Sequence, residues 1–479
     1  MKITRQVVNL TLVGCTRAGL LALAVSTSCR CAADTAILQS TPAPQTLWNI
    51  YRMAHVAAPL EISAHSEFVA QQETVPQARA ALLPRVAVTV SNSHDGADLD
   101  SGRTTVYPSK GYTISLHQSL FNVPDVQTYR QAEAIAARAR IQYSATEQLL
   151  MLQICESYFA ILAAQDDLRF ATHHAQMLSD QLDLARRRYE QGDATIVDMQ
   201  EAEAELERAN ANTLEAANAV SKTRADLHRR AGLEINALAV LPDVANLSIF
   251  RETDQEAWVR LAESHSPDVE QQRLTQYIAG IEVKKSRDTF LPTVSVTLSH
   301  SVGNLEYLND QVSISTGGNA NTYRQGTSNV AMLQVSIPLF DGFSTVSQER
   351  EARAQRDKAD ADLDNARLNA QAQEREVYLD LETAFARAST LEGALKTAIL
   401  ATESNRAAYA VGLRINSDVL RAEDVVYSTQ RDLARSRYDV VLNHLRLRAN
   451  AGELGEDDVR AVNALLSAIT PESSPPSAQ

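Results

Sequence analysis

The chain has 479 residues, a formal net charge of −14 at pH 7 and only 5% aromatic side chains. A general nucleic-acid binder needs clustered Lys and Arg to track phosphates, so the acidic balance excludes that class. Long stretches of Ala, Leu, Glu, Gln, Arg and Asp, with 17 Gly and 14 Pro in all, favour extended helices packed through small side chains over one bulky globular core.

Residues 1–33 read as an export signal. Lys2, Arg5 and Arg17 supply basic charge, Ala18 to Val25 an apolar run, and Cys31-Ala32-Ala33 a small-residue exit. Lipidation at Cys29 is a competing fate, although Ser26-Thr27-Ser28 is a poor match to the box that precedes a lipidated cysteine. Cys15, Cys29 and Cys31 lie in or beside this segment, so only Cys155 remains in the body and no intramolecular disulfide framework exists. No later run of 18 apolar residues predicts a transmembrane helix, which leaves a periplasmic, a secreted or an outer-membrane β-barrel protein.

A helix is predicted over about 45–82, with Pro59 and Pro76 limiting its regularity. Val86, Val88 and Val90 then alternate with polar or small residues, as do Tyr112, Ile114 and Leu116, and each segment suits a tilted membrane strand of roughly 9–11 residues. The polar stretch from His94 to Lys110 reads as the loop between them. Asp125 to Glu190 contains neither Pro nor Gly and predicts one helix on the order of 100 Å long at about 1.5 Å per residue. It ends at the turn Gln191-Gly192-Asp193-Ala194, and a helix returns over about 195–232.

After a linker at 236–253 the plan repeats: a helix at about 254–289, a strand through Val294, Val296 and Leu298, a loop from Val302 to Thr327, and a strand through Leu333, Val335 and Ile337. A long helix follows from Phe343 to Val411, then the turn Val411-Gly412-Leu413-Arg414 and a return over about 416–452. Leu83-Pro84-Arg85-Val86 recurs as Leu291-Pro292-Thr293-Val294, Leu120-Phe121 as Leu339-Phe340, and Tyr189 to Gly192 as Tyr409 to Gly412. Matches in one order at a slowly drifting offset indicate duplication. The chain therefore divides into a signal peptide (1–33), a first repeat (34–235), an equatorial linker (236–253), a second repeat (254–455) and a tail (456–479), of which Pro471 to Gln479 is expected to be disordered. Neither return helix is long enough to regain the strands. The 254–289 helix is expected to continue the first return, and the 45–82 helix the second.

Four strands cannot close a barrel, so they must pair with copies of themselves or leave edges exposed in lipid. With Leu82-Leu83-Pro84 before the first strand, Leu120-Phe121 after the second, the Tyr-x-x-Gly turns and Ser436-Arg437-Tyr438 in the last helix, the chain resembles the TolC family of outer-membrane efflux proteins over nearly all of its mature length. The resemblance implies a mixed α and β membrane protein. Three chains would form a 12-stranded outer-membrane barrel, four strands from each, continuous with a long periplasmic α-helical barrel. It also implies a homotrimer that meets a periplasmic adaptor and an inner-membrane transporter of the RND, ABC or MFS type, in efflux or type I secretion, with no nucleic acid and no cofactor.

In that family the periplasmic tip is the gate. The resemblance carries its latch onto Asp198, Tyr409 and Arg414, and its pore constriction onto Asp418 and, where the family tends to have a second acid, Arg421. Asp198 also fits a helix cap in Thr195-Ile196-Val197-Asp198, and Asp418 an acid at a helix start, so these readings stand side by side. Arg421 either weakens the cation preference of an acidic ring or pairs with Asp418. No metal site is read: His173 and His174 are helix neighbours about 100° apart and form no two-ligand face. No catalytic motif is present, Cys155 reads as a packed core residue, and the chain is not expected to be an enzyme. The alternative class is a periplasmic coiled-coil structural or adaptor protein.

Overall fold

The computed structural model describes residues 45–98, 104–192, 194–232, 237–242, 245–304 and 325–466. The expected signal segment, Cys29 and the end of the tail lie outside these residues.

Three short helices open the described chain: α1 (Leu47–Ala57), α2 (Pro59–Gln72) and α3 (Thr74–Ala80). The single helix expected over 45–82 is therefore broken. Ala58 is extended, with ψ 127°, because the ring of Pro59 disfavours the helical region for the residue before it. Pro76, by contrast, sits in the first turn of α3, where its missing N–H costs nothing.

Strands β1 (Arg85–Asp98) and β2 (Thr104–Phe121) follow, then α4 (Val123–Gln191) and α5 (Ile196–Ala231). The second repeat supplies α6 (Gln255–His265), α7 (Pro267–Asp288), β3 (Thr293–Asn304), β4 (Gln325–Ser336), α8 (Ser344–Ala410) and α9 (Asn416–Asn450). A last helix, α10, covers Glu456–Leu465. The helix expected over 254–289 breaks at Ser266, before Pro267, as the first repeat breaks before Pro59. No described helix is long and apolar enough to cross a membrane.

The strands form one antiparallel sheet in the order β1-β2-β3-β4. Residues opposite one another share a face, so the register aligns Val88 with Ile114, Leu116 with Leu298, and Val296 with Leu333. That face is mainly apolar, with His300 and Asn329 hydrogen-bonded to each other on it; the other carries Thr113, whose hydroxyl lies 2.8 Å from that of Ser301, and His117, 3.1 Å from Thr297. The strands run further than the expected loops allow. β1 and β2 stay paired as far as Asp98 and Thr104, and β3 and β4 as far as Asn304 and Gln325. Polar composition from His94 to Lys110 did not end the ladder, because backbone pairing needs no apolar face. Among the described residues the pairing of β2 with β3 starts at Gly111, so Pro108 lies where that edge of β2 has no described ladder partner, a position that tolerates proline.

α4 and α8, with 69 and 67 residues, each extend on the order of 100 Å. The end-to-end stacking differs from expectation. α5 ends at Gly232 (φ +70°), where a Cβ would lie 3.4 Å from the carbonyl oxygen of Ala57. α9 ends near Gly452 (φ +76°), where a Cβ would lie 2.5 Å from that of His265. Each return thus abuts the proline joint of its own repeat: α5 meets the α1–α2 joint at Ala57, and α9 the α6–α7 joint at His265 and Pro267. Lengths alone fit either pairing; the left-handed glycine cap, which lets two backbones approach, decides it. Laterally, α7 packs against both α4 and α8, as α9 does, while α2, α3 and α5 also pack on α4.

The apolar core sits where these joints meet. Leu47, Ile50, Leu150, Ile154, Tyr158, Phe159, Leu227 and Leu445 are almost fully buried there, and the Tyr158 hydroxyl donates to the Ala239 carbonyl at 2.6 Å. Cys155 belongs to this cluster; burial pushes its thiol up to about 12, which makes it a packing residue and not a nucleophile. Tyr438 of the Ser-Arg-Tyr motif donates to Asp166 at 2.5 Å and ties α9 to α4.

Candidate gate at the hairpin tips

The helical hairpins α4–α5 and α8–α9 turn at Gly192 (φ +83°) and Gly412 (φ +77°). At the second turn Leu413 N–H donates to Ala408 and Gly412 N–H to Tyr409, a Schellman ending that satisfies two carbonyls of α8. The other hairpin adds a second donor to the Tyr409 carbonyl and takes that of Ala410. Arg188, in the last turn of α4, donates from Nη1 to the Tyr409 carbonyl at 3.0 Å and from Nη2 to that of Ala410 at 2.9 Å. Its guanidinium also lies 4.5 Å from the centre of the Tyr409 ring. A cation at the C-terminal end of a helix dipole, stacked on a buried tyrosine, is a favourable three-way contact.

A second joint lies beside it. Asn416, fully buried, donates from Nδ2 to the Asp198 carbonyl at 3.1 Å and accepts from Gln181 Nε2 at 2.6 Å. One side chain thereby links α4, the start of α5 and the start of α9. Further up, buried Glu423 accepts from Arg406 Nε at 3.0 Å and Nη2 at 2.8 Å; burial raises its carboxyl pKa while the guanidinium opposes that rise. His174 stacks on Tyr427 with centroids 4.7 Å apart, 3.4 Å from Asp424, and burial lowers its pKa, so it is largely neutral at pH 7.

The expected latch residues are divided by this geometry. The Asp198 carboxylate accepts from Thr195 N–H at 2.9 Å and Thr195 Oγ1 at 2.8 Å, closing a capping box on α5. Its backbone carbonyl, not its carboxylate, reaches the second hairpin. Arg414 pairs with Asp418 at 3.4 Å across one turn, and no hydrogen bond or ion pair joins either Tyr409 or Arg414 to the Asp198 carboxylate among the described residues. Asp418 therefore takes Arg414 and not Arg421, which is exposed and makes no ion pair among the described residues. The physical reason is local: a first-turn acid is served by a base four residues away and by the helix dipole before any distant partner.

Magnitudes rank these contacts. The exposed Arg414–Asp418 pair is worth about 0.3–0.5 kcal/mol. Two charge-assisted bonds from half-buried Arg188, with the ring contact, amount to about 1–3 kcal/mol after allowance for solvent. Reading the sequence missed Arg188 and Asn416. The run Arg186-Arg187-Arg188 in the last turn of a helix was the available signal for the first.

An amphipathic four-stranded sheet continued by helical hairpins about 100 Å long defines the class of outer-membrane channel subunits. The outer membrane efflux protein family matches residues 62–233 and 258–453, and the chain belongs to that family. It is 30% identical over 425 residues to the alkaline protease secretion protein AprF of Pseudomonas aeruginosa, covering 86% of each chain. It is 28% identical over 428 residues to the outer membrane protein TolC of Vibrio cholerae, covering 89% of this chain and 95% of that relative. Among solved structures it superposes on CusC with a TM-score of 0.72 at 14% identity, covering 85% of this chain and 92% of that one. On the open state of the Neisseria gonorrhoeae MtrE channel the TM-score is 0.69 at 17% identity, covering 86% and 91%. These two likenesses bear on the fold alone. Membership makes the protein an outer-membrane efflux channel and not an enzyme, and sets aside the periplasmic coiled-coil alternative.

Proposed function

We propose that three copies of this chain close a 12-stranded barrel in the outer membrane, continuous with an α-helical barrel in the periplasm. Through this duct substrates of an inner-membrane transporter and its periplasmic adaptor leave the cell. The observation that carries the reading is the sheet: among the described residues β1 and β4 each have a neighbour on one side only, and one face is more apolar than the other. In lipid an unpaired edge is untenable, and pairing β4 of one chain with β1 of the next removes every edge at once. Exposed Leu120, Phe121, Leu339, Phe340 and Phe343, where strands meet helices, suit an interfacial girdle.

Residues 1–33 act as the signal peptide in this reading, 34–235 and 254–455 as the two repeats joined by the linker 236–253, and 456–479 as the tail. The names of relatives include protease secretion, which supports type I secretion as well as efflux. RND, ABC and MFS transporters all remain in the partner class. No cofactor is needed, because the transporter supplies the energy.

The closed gate rests on the Arg188–Tyr409 clasp and the Asn416 joint. Asp198 contributes by capping α5, and Arg414 by bracing Asp418. Asp418 and Arg421 line the constriction, so that three guanidiniums offset three carboxylates. In planar bilayers, Arg421→Asp is then expected to increase cation selectivity and the block by trivalent cations. Unchanged selectivity and block would remove Arg421 from the pore.

A further inference from the structure

Above the gate, at the α1–α2 joint, lies a polar cluster that neither the duct nor its packing requires. Glu61, in the first turn of α2, is 4% exposed, and its Oε2 is buried without a hydrogen-bond partner. His55, in the last turn of α1, brings Nδ1 to 3.7 Å from Glu61 Oε1, and that nitrogen is also buried without a hydrogen-bond partner. Glu147 on α4 completes the group: one ligand atom from each of the three lies within 4.8 Å of the others. Tyr143, one turn before Glu147 on α4, donates to Glu61 Oε1 at 2.6 Å and fixes that carboxylate.

The duplication provides an internal comparison. At the offset that relates Pro59 to Pro267, Ala54 matches Ala262, and Glu61 matches Val269. Val269 is fully buried against Leu363 and Ala366. The same joint is therefore closed by aliphatic packing in one repeat and by a buried carboxylate facing a histidine and a second carboxylate in the other. Packing alone does not call for the polar version.

We propose that His55, Glu61 and Glu147 form a binding site for a divalent transition-metal cation, which pins the α1–α2 joint to α4. One imidazole and two carboxylates are a donor set for such an ion and not for Ca²⁺ or Mg²⁺, which take oxygen ligands. Bonds of about 2.0–2.2 Å in a tetrahedral site place ligand atoms about 3.4 Å apart, so the present spacing closes with small side-chain rotations. The Tyr143 hydroxyl then orients a ligating carboxylate from outside the coordination sphere.

The test is Zn²⁺ binding to the purified, EDTA-stripped full-length protein in detergent, by equilibrium dialysis with elemental analysis and by thermal melting. The wild type is expected to bind one Zn²⁺ per chain more than His55→Ala or Glu147→Gln, and zinc should raise its Tm but not theirs. Tyr143→Phe should retain the site with about 10-fold or greater weakening. Glu147 is only partly buried, so Glu147→Gln keeps the test sound should a change at Glu61 impair folding. Equal stoichiometry in wild type and both variants overturns the proposal. So does a wild-type Tm indifferent to zinc, the outcome expected if a protonated His55 merely pairs with Glu61.

Discussion

Replacing Arg188 by alanine is expected to raise the resting conductance of the channel in planar bilayers several-fold, and more than Arg414→Ala does. The substitution removes both guanidinium bonds to the Tyr409 and Ala410 carbonyls and uncovers the Tyr409 ring. The Ala410 carbonyl loses its side-chain donor, the Tyr409 carbonyl keeps only its backbone donor, and the first hairpin loses its side-chain grip on the second at that level. A loss of about 1–3 kcal/mol shifts a closed–open equilibrium by roughly 5- to 150-fold, which a conductance trace resolves. Arg414→Ala breaks only a pair within one helical turn, worth about 0.3–0.5 kcal/mol. The reverse order of effects would return the latch to Arg414. Equal, unchanged traces would place the gate outside this contact.

The second large effect concerns pH. Glu374 on α8 is fully buried, both of its carboxylate oxygens lack a hydrogen-bond partner, and burial pushes its carboxyl up to about 8. The folded chain thus holds a proton that the unfolded chain releases near pH 4.5. Stability from this group is fully present below pH 4.5 and is lost as pH rises to about 8, a total on the order of 3–5 kcal/mol. Glu374→Gln cannot ionise, so its Tm should be flat across the window in which the wild-type Tm falls, and it should be the more stable form at pH 8.5. Parallel Tm profiles for the two proteins would show that Glu374 finds a partner in the assembled channel.

Much of this architecture was legible in the residues. Val86, Val88 and Val90 against Val294, Val296 and Leu298 gave both the strands and the duplication, because an amphipathic strand leaves a period of two and a copied strand leaves it twice. The long helices were equally plain, since nothing between Asp125 and Glu190 can end one. Three things were hidden. Strand ends were misjudged at His94 and Lys110, where pairing continues without an apolar face to mark it. The docking of α5 on the α1–α2 joint depends on Gly232 meeting Ala57, a contact between segments distant in the chain that no local pattern records. At the gate, the family resemblance directed attention to Asp198 and Arg414, whereas within one chain the hairpins are joined by Arg188 and Asn416. Asp198 shows why: its spacing from Thr195 fits a capping box as well as a latch, and the cap has the nearer donors.

The central claim is that the open edges of β1 and β4 are closed by other copies of the same chain. Native mass spectrometry of the purified protein released from detergent measures this directly. The account predicts a complex of three chains that persists until the sheet is denatured. A particle of one or two chains that still conducts in bilayers would contradict it.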